Sequence, residues 1–302
     1  MRQTLCCISE KIVIKRLKGL ESSKMSYKII VDSCCELPEE LLKSGKFERI
    51  PLGLEVGEYQ VLDDENFNQA QFLKKVAEYP KCPKSSCPSP DRYREAYRAE
   101  AEHIYAITLS SHLSGSYNSA VLGKNLYHEK YGDKQIHVVD SESASCGEAQ
   151  IAMKIMELEE AGLSFEKVVE RIEAFRDEMN TYFVLDNLET LRKNGRLTGV
   201  KALVASTLSI KPVMGAEKGT IIQRGQSIGM KKALSKMADL VANEVKDAKN
   251  KTLMITHCNA PARAQLVKDM ILSKQQFKSV LIMDTRGVSS MYANDGGVIV
   301  AV

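Results

Sequence analysis

A short apolar run ending in a polar pair, then a small-residue turn, then a helical pattern, recurs three times in the first half of the chain. The runs are residues 27–31, 104–109 and 136–139, and they end in Asp32-Ser33, Ser110-Ser111 and Asp140-Ser141. Pro38 suits the first turn of the helix after the first run, and Gly45 its end. The second helix follows Gly115 as SYNSAVLGKNLYHEKYG, and the third follows Cys146 as GEAQIAMKIMELEEAG. Apolar strands alternating with helices in this way predict a parallel sheet covered on both faces. Such sheets bind ligands beyond the carboxyl ends of their strands, so the three serine-bearing turns are expected along one edge.

Residues 164–179 place Val168, Val169, Ile172 and Phe175 on one helical face. The Pro- and Ser-rich stretch KCPKSSCPSP, residues 81–90, reads as a loop. A second α/β unit follows, with a strand at 182–185 and a short helix at 188–193 ending near Gly195. A helix at 202–208 leads to a strand at 209–214, and the turn AEKG pairs that strand with 220–224 as a hairpin. A helix at 230–246 and strands at 253–256, 280–284 and 298–302 complete the unit. The expectation is an α/β protein of two α/β domains, residues 25–180 with a mainly parallel sheet and residues 181–302 with a mixed one. The boundary is approximate, and the chain can cross between domains near its C-terminus.

Composition adds limits. A length of 302 residues suits two domains, and 44% hydrophobic with 27% charged residues is ordinary for a globular chain. The 42 basic and 39 acidic residues leave a net charge of +3, which gives no electrostatic footprint for nucleic acid. The eight cysteines include two adjacent pairs and four scattered residues, unlike a disulfide framework. Reduced thiols, and so a cytoplasmic location, are expected. Cys82 and Cys87 have no matching second pair and no His-Glu-x-x-His is present, so no metal is expected. No apolar run reaches the roughly 20 residues of a membrane helix, so stable membrane insertion is not expected. Residues 1–24 are basic and lack both a continuous apolar stretch and a small-residue cleavage site. They are expected to be a poorly packed, disordered extension upstream of the strand phrase MSYKIIVDS; an amphipathic helix on a membrane surface is the alternative.

The turn SSHLSGSYNSA, residues 110–120, carries the most chemistry. Ser110, Ser111, Ser114 and Ser116 offer hydroxyls, Gly115 permits close approach to a ligand, and a helix N-terminus offers free N–H groups. A carboxylate fits such a set of neutral donors; the plainer reading is that Ser114 caps the helix. Ser85 and Ser86 of SSCPS say little alone. A nucleophile elbow, Gly-x-Ser-x-Gly, is absent around Ser114, although His112 lies in the same turn and leaves a serine esterase or thioesterase open. The phosphate-loop and dinucleotide patterns are also absent. Asp32 and Asp140 stand at strand ends, where an aspartate usually bonds the backbone of its own turn. Arg192, Lys193 and Arg196 gather around Gly195, as helix-end charges or as a positive site to which Lys211, Lys231 and Lys232 add. His257 closes a strand and reads as structural. Asn294-Asp295-Gly296-Gly297 suggests a tight turn before the last strand.

In order and spacing, IVDSCCELP (30–38), SSCPSP (85–90), ITLSSHLSGSYNSA (107–120), VVDSESAS (138–145), LRKNGRLTG (191–199), SIKPVMG (209–215) and NDGG resemble the DegV family of bacterial fatty-acid-binding proteins. The resemblance runs from about Met25 to the C-terminus. It implies a long-chain fatty acid in a tunnel between the domains, with its carboxylate held by Ser85 and Ser111. Ser86, Ser110, Ser114 and Gly115 are the implied neighbours. It also implies a protein that is no enzyme and needs no cofactor, but presents the acid to a fatty acid kinase for acyl-phosphate formation. Arg196 is then a candidate contact for that partner or its phosphate. Release or retention of a lipid as a signal is the other role left open. The chain departs from the family pattern at Ser85, where Thr is usual, and at Cys87, where Gln is usual. Ala293 stands where many members have the histidine of His-x-Gly-Pro-Gly.

Overall fold

The computed structural model describes residues 27–197 and 209–302. The 1–24 extension and the helix expected at 202–208 lie outside the described residues. Along the chain come β1 (Tyr27–Asp32), α1 (Glu39–Leu42), β2 (Phe47–Ile50), β3 (Gly53–Val56), β4 (Tyr59–Leu62), α2 (Gln69–Glu78) and β5 (Lys84–Ser86). They continue with α3 (Pro90–Ala96), β6 (His103–Thr108), α4 (Ser116–Tyr131), β7 (Gln135–Asp140), α5 (Cys146–Glu160) and α6 (Phe165–Glu178). The second half holds β8 (Thr181–Val184), α7 (Glu189–Lys193), β9 (Ile210–Glu217), β10 (Thr220–Ile228) and α8 (Met230–Glu244). It ends with β11 (Thr252–His257), α9 (Pro261–Leu272), β12 (Ser279–Asp284), α10 (Gly287–Ala293) and β13 (Val298–Ala301).

Two α/β domains result. The first sheet has the order β2-β1-β6-β7 and is wholly parallel. The second has the order β10-β9-β8-β13-β11-β12 and is mixed, with only β11 and β12 parallel among its pairs. The last strand of the chain therefore lies in the middle of its sheet. A small antiparallel sheet, β4-β3-β5, stands beside them.

Side chains alternate across a strand, so each apolar run feeds two cores. Ile29, Val31, Tyr105 and Ile107 pack with Ala149, Ala152 and Ile155 of α5 and Val168 and Ile172 of α6. Ile30, Ile104, Ala106 and Ile136 face the other way, onto Tyr93, Tyr97 and Ala120. On the second sheet α8 and α9 cover one face. Helix α5 is shared: eleven of its fifteen residues are buried, and its core reaches Met254 and Ala301 of the second sheet. Gln150 donates to the carbonyls of Thr252 (2.6 Å) and Ala301 (3.1 Å). One buried helix thus joins the domains.

Three differences from the sequence reading have physical causes. Residues 84–86 are a strand, not loop, because β3 supplies an edge that Ser85 and Ser86 meet opposite Leu54 and Gly53. Strands β2, β3 and β4 are four residues each, too short for a visible period. The hairpin strands run longer than read, and the turn shrinks to Lys218-Gly219, both at positive φ (45° and 75°), as two-residue hairpin turns require.

Gly123 shows how close the layers lie. A Cβ on it would stand 2.7 Å from the Pro90 carbonyl oxygen and 2.7 Å from Tyr93 Cβ. Alanine raises helix propensity by up to about 1 kcal/mol, but overpacking against backbone costs about 1–3 kcal/mol. Gly123→Ala should therefore lower stability and move the thermal midpoint down by a few degrees. A midpoint at or above wild type in calorimetry would show that α3 is free to shift.

Candidate ligand-binding site

The serine turn is fixed from both sides by strand-end aspartates. β6 lies between β1 and β7, so Asp32 and Asp140 flank its end. Asp32 accepts the N–H groups of Cys34 (3.0 Å) and, across the strands, Leu109 (2.9 Å). Asp140 accepts those of Ser111 (3.0 Å) and Glu142 (3.2 Å). The turn-bonding role expected of both aspartates is present, and each also reaches the neighbouring turn.

The serines then divide by task. Ser110 is buried, and its hydroxyl donates to the Gly219 carbonyl (2.8 Å) at the tip of the β9–β10 hairpin. It joins the two domains. The Ser114 hydroxyl accepts the Ser116 N–H (3.2 Å) just before α4; the N-cap position itself is Gly115, so Ser114 bonds the turn and does not cap the helix. Ser111 is half-buried, and its hydroxyl has no partner among the described residues. Gly115 has an ordinary helical φ of −76°. A Cβ on it would lie 3.0 Å from Cys87 Sγ. Cys87 Sγ is also 3.7 Å from the Ser119 hydroxyl. The SSCPSP segment and the serine turn are therefore neighbours, as the family resemblance requires.

On that segment Ser86 is exposed, while Ser85 is half-buried with its hydroxyl 3.2 Å from that of Tyr292. Tyr292 lies on α10, an element the sequence reading missed. Asp63 of the small-sheet side places this helix by accepting the N–H groups of Gly287 (2.8 Å) and Val288 (2.9 Å).

Between the domains lies a crevice enclosing about 730 Å³ of empty space, its open mouth included. Its walls include Leu109 and Ala144 of the first domain and Phe183, Leu185, Ile221 and Ile299 of the second. Leu113 and Tyr292, which adjoin Ser111 and Ser85 by sequence or hydrogen bond, line it too. Arg196 is the cationic residue on this lining. Its Nε donates to the Leu113 carbonyl (3.0 Å), another guanidinium nitrogen donates to the Asn194 carbonyl, and its charge stands 6.0 Å from the Tyr292 ring centroid. No carboxylate pairs with it among the described residues. By contrast Arg192 and Lys193 pair with Glu189, Lys211 with Asp186, and Lys231 and Lys232 are exposed on α8. Of this group, Arg196 is the one on the crevice lining.

A charge relay does not form among the described residues. His103 and His137 pair with Glu159 and Glu173, and His128 contacts the Lys134 carbonyl. His257 accepts the Ala260 N–H (3.2 Å) beside Asp284. His112 is exposed and touches Ser110 only through its backbone N–H.

Buried carboxyls underlie the site. Burial, with the Asp32 charge added, pushes the Glu148 carboxyl well above the usual range, and neither of its oxygens makes a hydrogen bond of normal geometry. It is held neutral. Burial likewise pushes Glu36 up to about 8, although it accepts the Arg286 N–H (2.8 Å). The Cys34 thiol, on the crevice wall, is also raised by burial and so is a poor nucleophile.

Glu36 carries a pH signature. Between about 4.5 and 8 the unfolded chain has lost this proton while the folded one keeps it, so stability falls as pH rises through that window. Glu36→Gln cannot titrate, and its carbonyl can still accept the Arg286 N–H. Relative to wild type, the variant should gain up to about 1.4 kcal/mol per pH unit across the window. Urea titrations at several pH values check this, and parallel slopes for the two proteins would contradict it.

The chain was compared with known proteins. The DegV family model, described as an uncharacterised protein family, matches residues 26–302. A DegV domain-containing protein of Streptococcus pyogenes serotype M1 is 33% identical over 279 residues, covering 91% of this chain and 98% of that protein. A solved DegV-family structure from Ruminococcus gnavus, refined with vaccenic acid, superposes with a TM-score of 0.90 at 54% identity, covering 92% of this chain and all of that one. The Streptococcus pneumoniae Fatty Acid Kinase (Fak) B3 protein, loaded with linoleic acid, superposes with a TM-score of 0.82 at 32% identity over 92% of this chain and 99% of that one.

Proposed function

The chain belongs to the DegV family, and from that premise we propose that it binds a long-chain fatty acid and presents it to a fatty acid kinase. The carboxylate lies at Ser85 and Ser111, and the tail lies in the crevice between the domains. The observation that carries this reading is the apolar crevice lined by Leu113, two residues after Ser111, and by Tyr292, whose hydroxyl lies 3.2 Å from that of Ser85. A carboxylate leaving water must have its lost hydration replaced by several hydrogen bonds. Neutral donors can do this, while each buried methylene of the tail adds roughly 0.8 kcal/mol. The tail therefore supplies most of the affinity and the hydroxyls fix its direction. Ser86 and Gly115 shape the surroundings, Ser110 joins the domains, and Ser114 holds the start of α4.

The presenting role is supported by likeness to the Fak B3 protein. In this role the protein performs no chemistry of its own, needs no cofactor and works in the cytoplasm. No described helix is long and apolar enough to cross a membrane. Arg196, lacking a carboxylate partner at the crevice, is the residue placed to meet an acyl phosphate or the kinase.

Titration with oleate tests the site. Ser111→Ala removes one donor from a carboxylate that has left water, so its dissociation constant should rise by about 10- to 100-fold, or roughly 1–3 kcal/mol. Wild-type affinity in that variant would remove Ser111 from the site.

A further inference from the structure

The hydroxyls of Ser85, Tyr292 and Ser111 do not balance among themselves. Ser85 and Tyr292 stand 3.2 Å apart, and either can donate to the other. One proton serves that bond, and the second hydroxyl proton of the pair has no acceptor among the described residues. The Ser111 hydroxyl is uncommitted as well. Two free O–H donors beside an apolar crevice are suited to one acceptor-rich group, and a carboxylate offers about four lone-pair positions. Ala293, the next residue, is buried and adds no polar atom.

We propose that Tyr292 is itself a ligand of the bound carboxylate, its phenol hydroxyl donating alongside Ser85 and Ser111; this rests on the fatty-acid reading above. A phenol is more acidic than an alcohol, and hence the stronger donor. Burial of Tyr292 raises its pKa, which keeps the proton in place for donation. The Arg196 guanidinium over the ring adds positive potential on the same side, so the charge of the carboxylate is matched without a direct ion pair. Asp63 supports the arrangement from a distance by fixing the N-terminus of α10. Tyr292 also lines the crevice, and could instead be only an apolar wall for the first methylenes. The two roles separate by chemistry, because a wall does not distinguish an acid from its ester.

The test compares wild type and Tyr292→Phe with two probes, oleate and methyl oleate. The variant keeps the ring and loses only the hydroxyl. Its oleate dissociation constant should rise about tenfold, equivalent to one hydrogen bond to a charged group. Its methyl oleate constant should stay within about twofold of wild type. The carboxyl carbon resonance of oleate labelled at that carbon should move between the two proteins, which loss of packing alone would not cause. Unchanged oleate affinity in Tyr292→Phe, or equal losses for acid and ester, overturns the role of Tyr292. A wild-type protein that takes up no oleate overturns the fatty-acid reading itself, and this inference with it.

Discussion

The hydrogen bonds from the backbone of residues 109 and 111 to Asp32 and Asp140 are the constraint on which the site depends. Three parallel strands end side by side, and the outer two each contribute a carboxylate that grips the turn leaving the middle one. A turn held at both flanks can aim its side chains in different directions. Ser110 is directed at the second domain, Ser114 at the start of α4, and Ser111 is left uncommitted. Loss of either grip would disturb all three uses together.

The second constraint is the shared helix. α5 is buried by both sheets, so the domains cannot separate widely without exposing a core. The same burial raises the pKa of Glu148 on this helix, because it disfavours the charged carboxylate. The Ser110–Gly219 contact closes the other side of the crevice, where the hairpin tip needs the positive φ that glycine accepts freely.

Much of this was legible in the sequence. Strands β1, β6 and β7 of the first sheet could be read because each is an apolar run of four to six residues, whereas β2 could not. Asp32 and Asp140 could be placed because an acid after such a run stands at the strand's carboxyl end. Ser85 and Ser111 came from family resemblance, since neither position has a physical signature alone. What escaped was long-range. Ser85 meets Tyr292 across 207 residues, and no local pattern encodes such a pair. The all-round burial of α5 was hidden by its polar residues, for Gln150 finds its acceptors about a hundred or more positions away. The short strands β2–β5 draw their order from one another, not from their own sequence. The approach of Cys87 to Gly115 joins two segments that no local pattern connects.

Mass spectrometry of an organic extract, made from the protein purified without added lipid, tests the central claim most directly. The account predicts about one long-chain fatty acid per protein molecule, whose length and unsaturation define the specificity of the crevice. An extract without fatty acid, from a protein that also fails to take up oleate or palmitate, would contradict it.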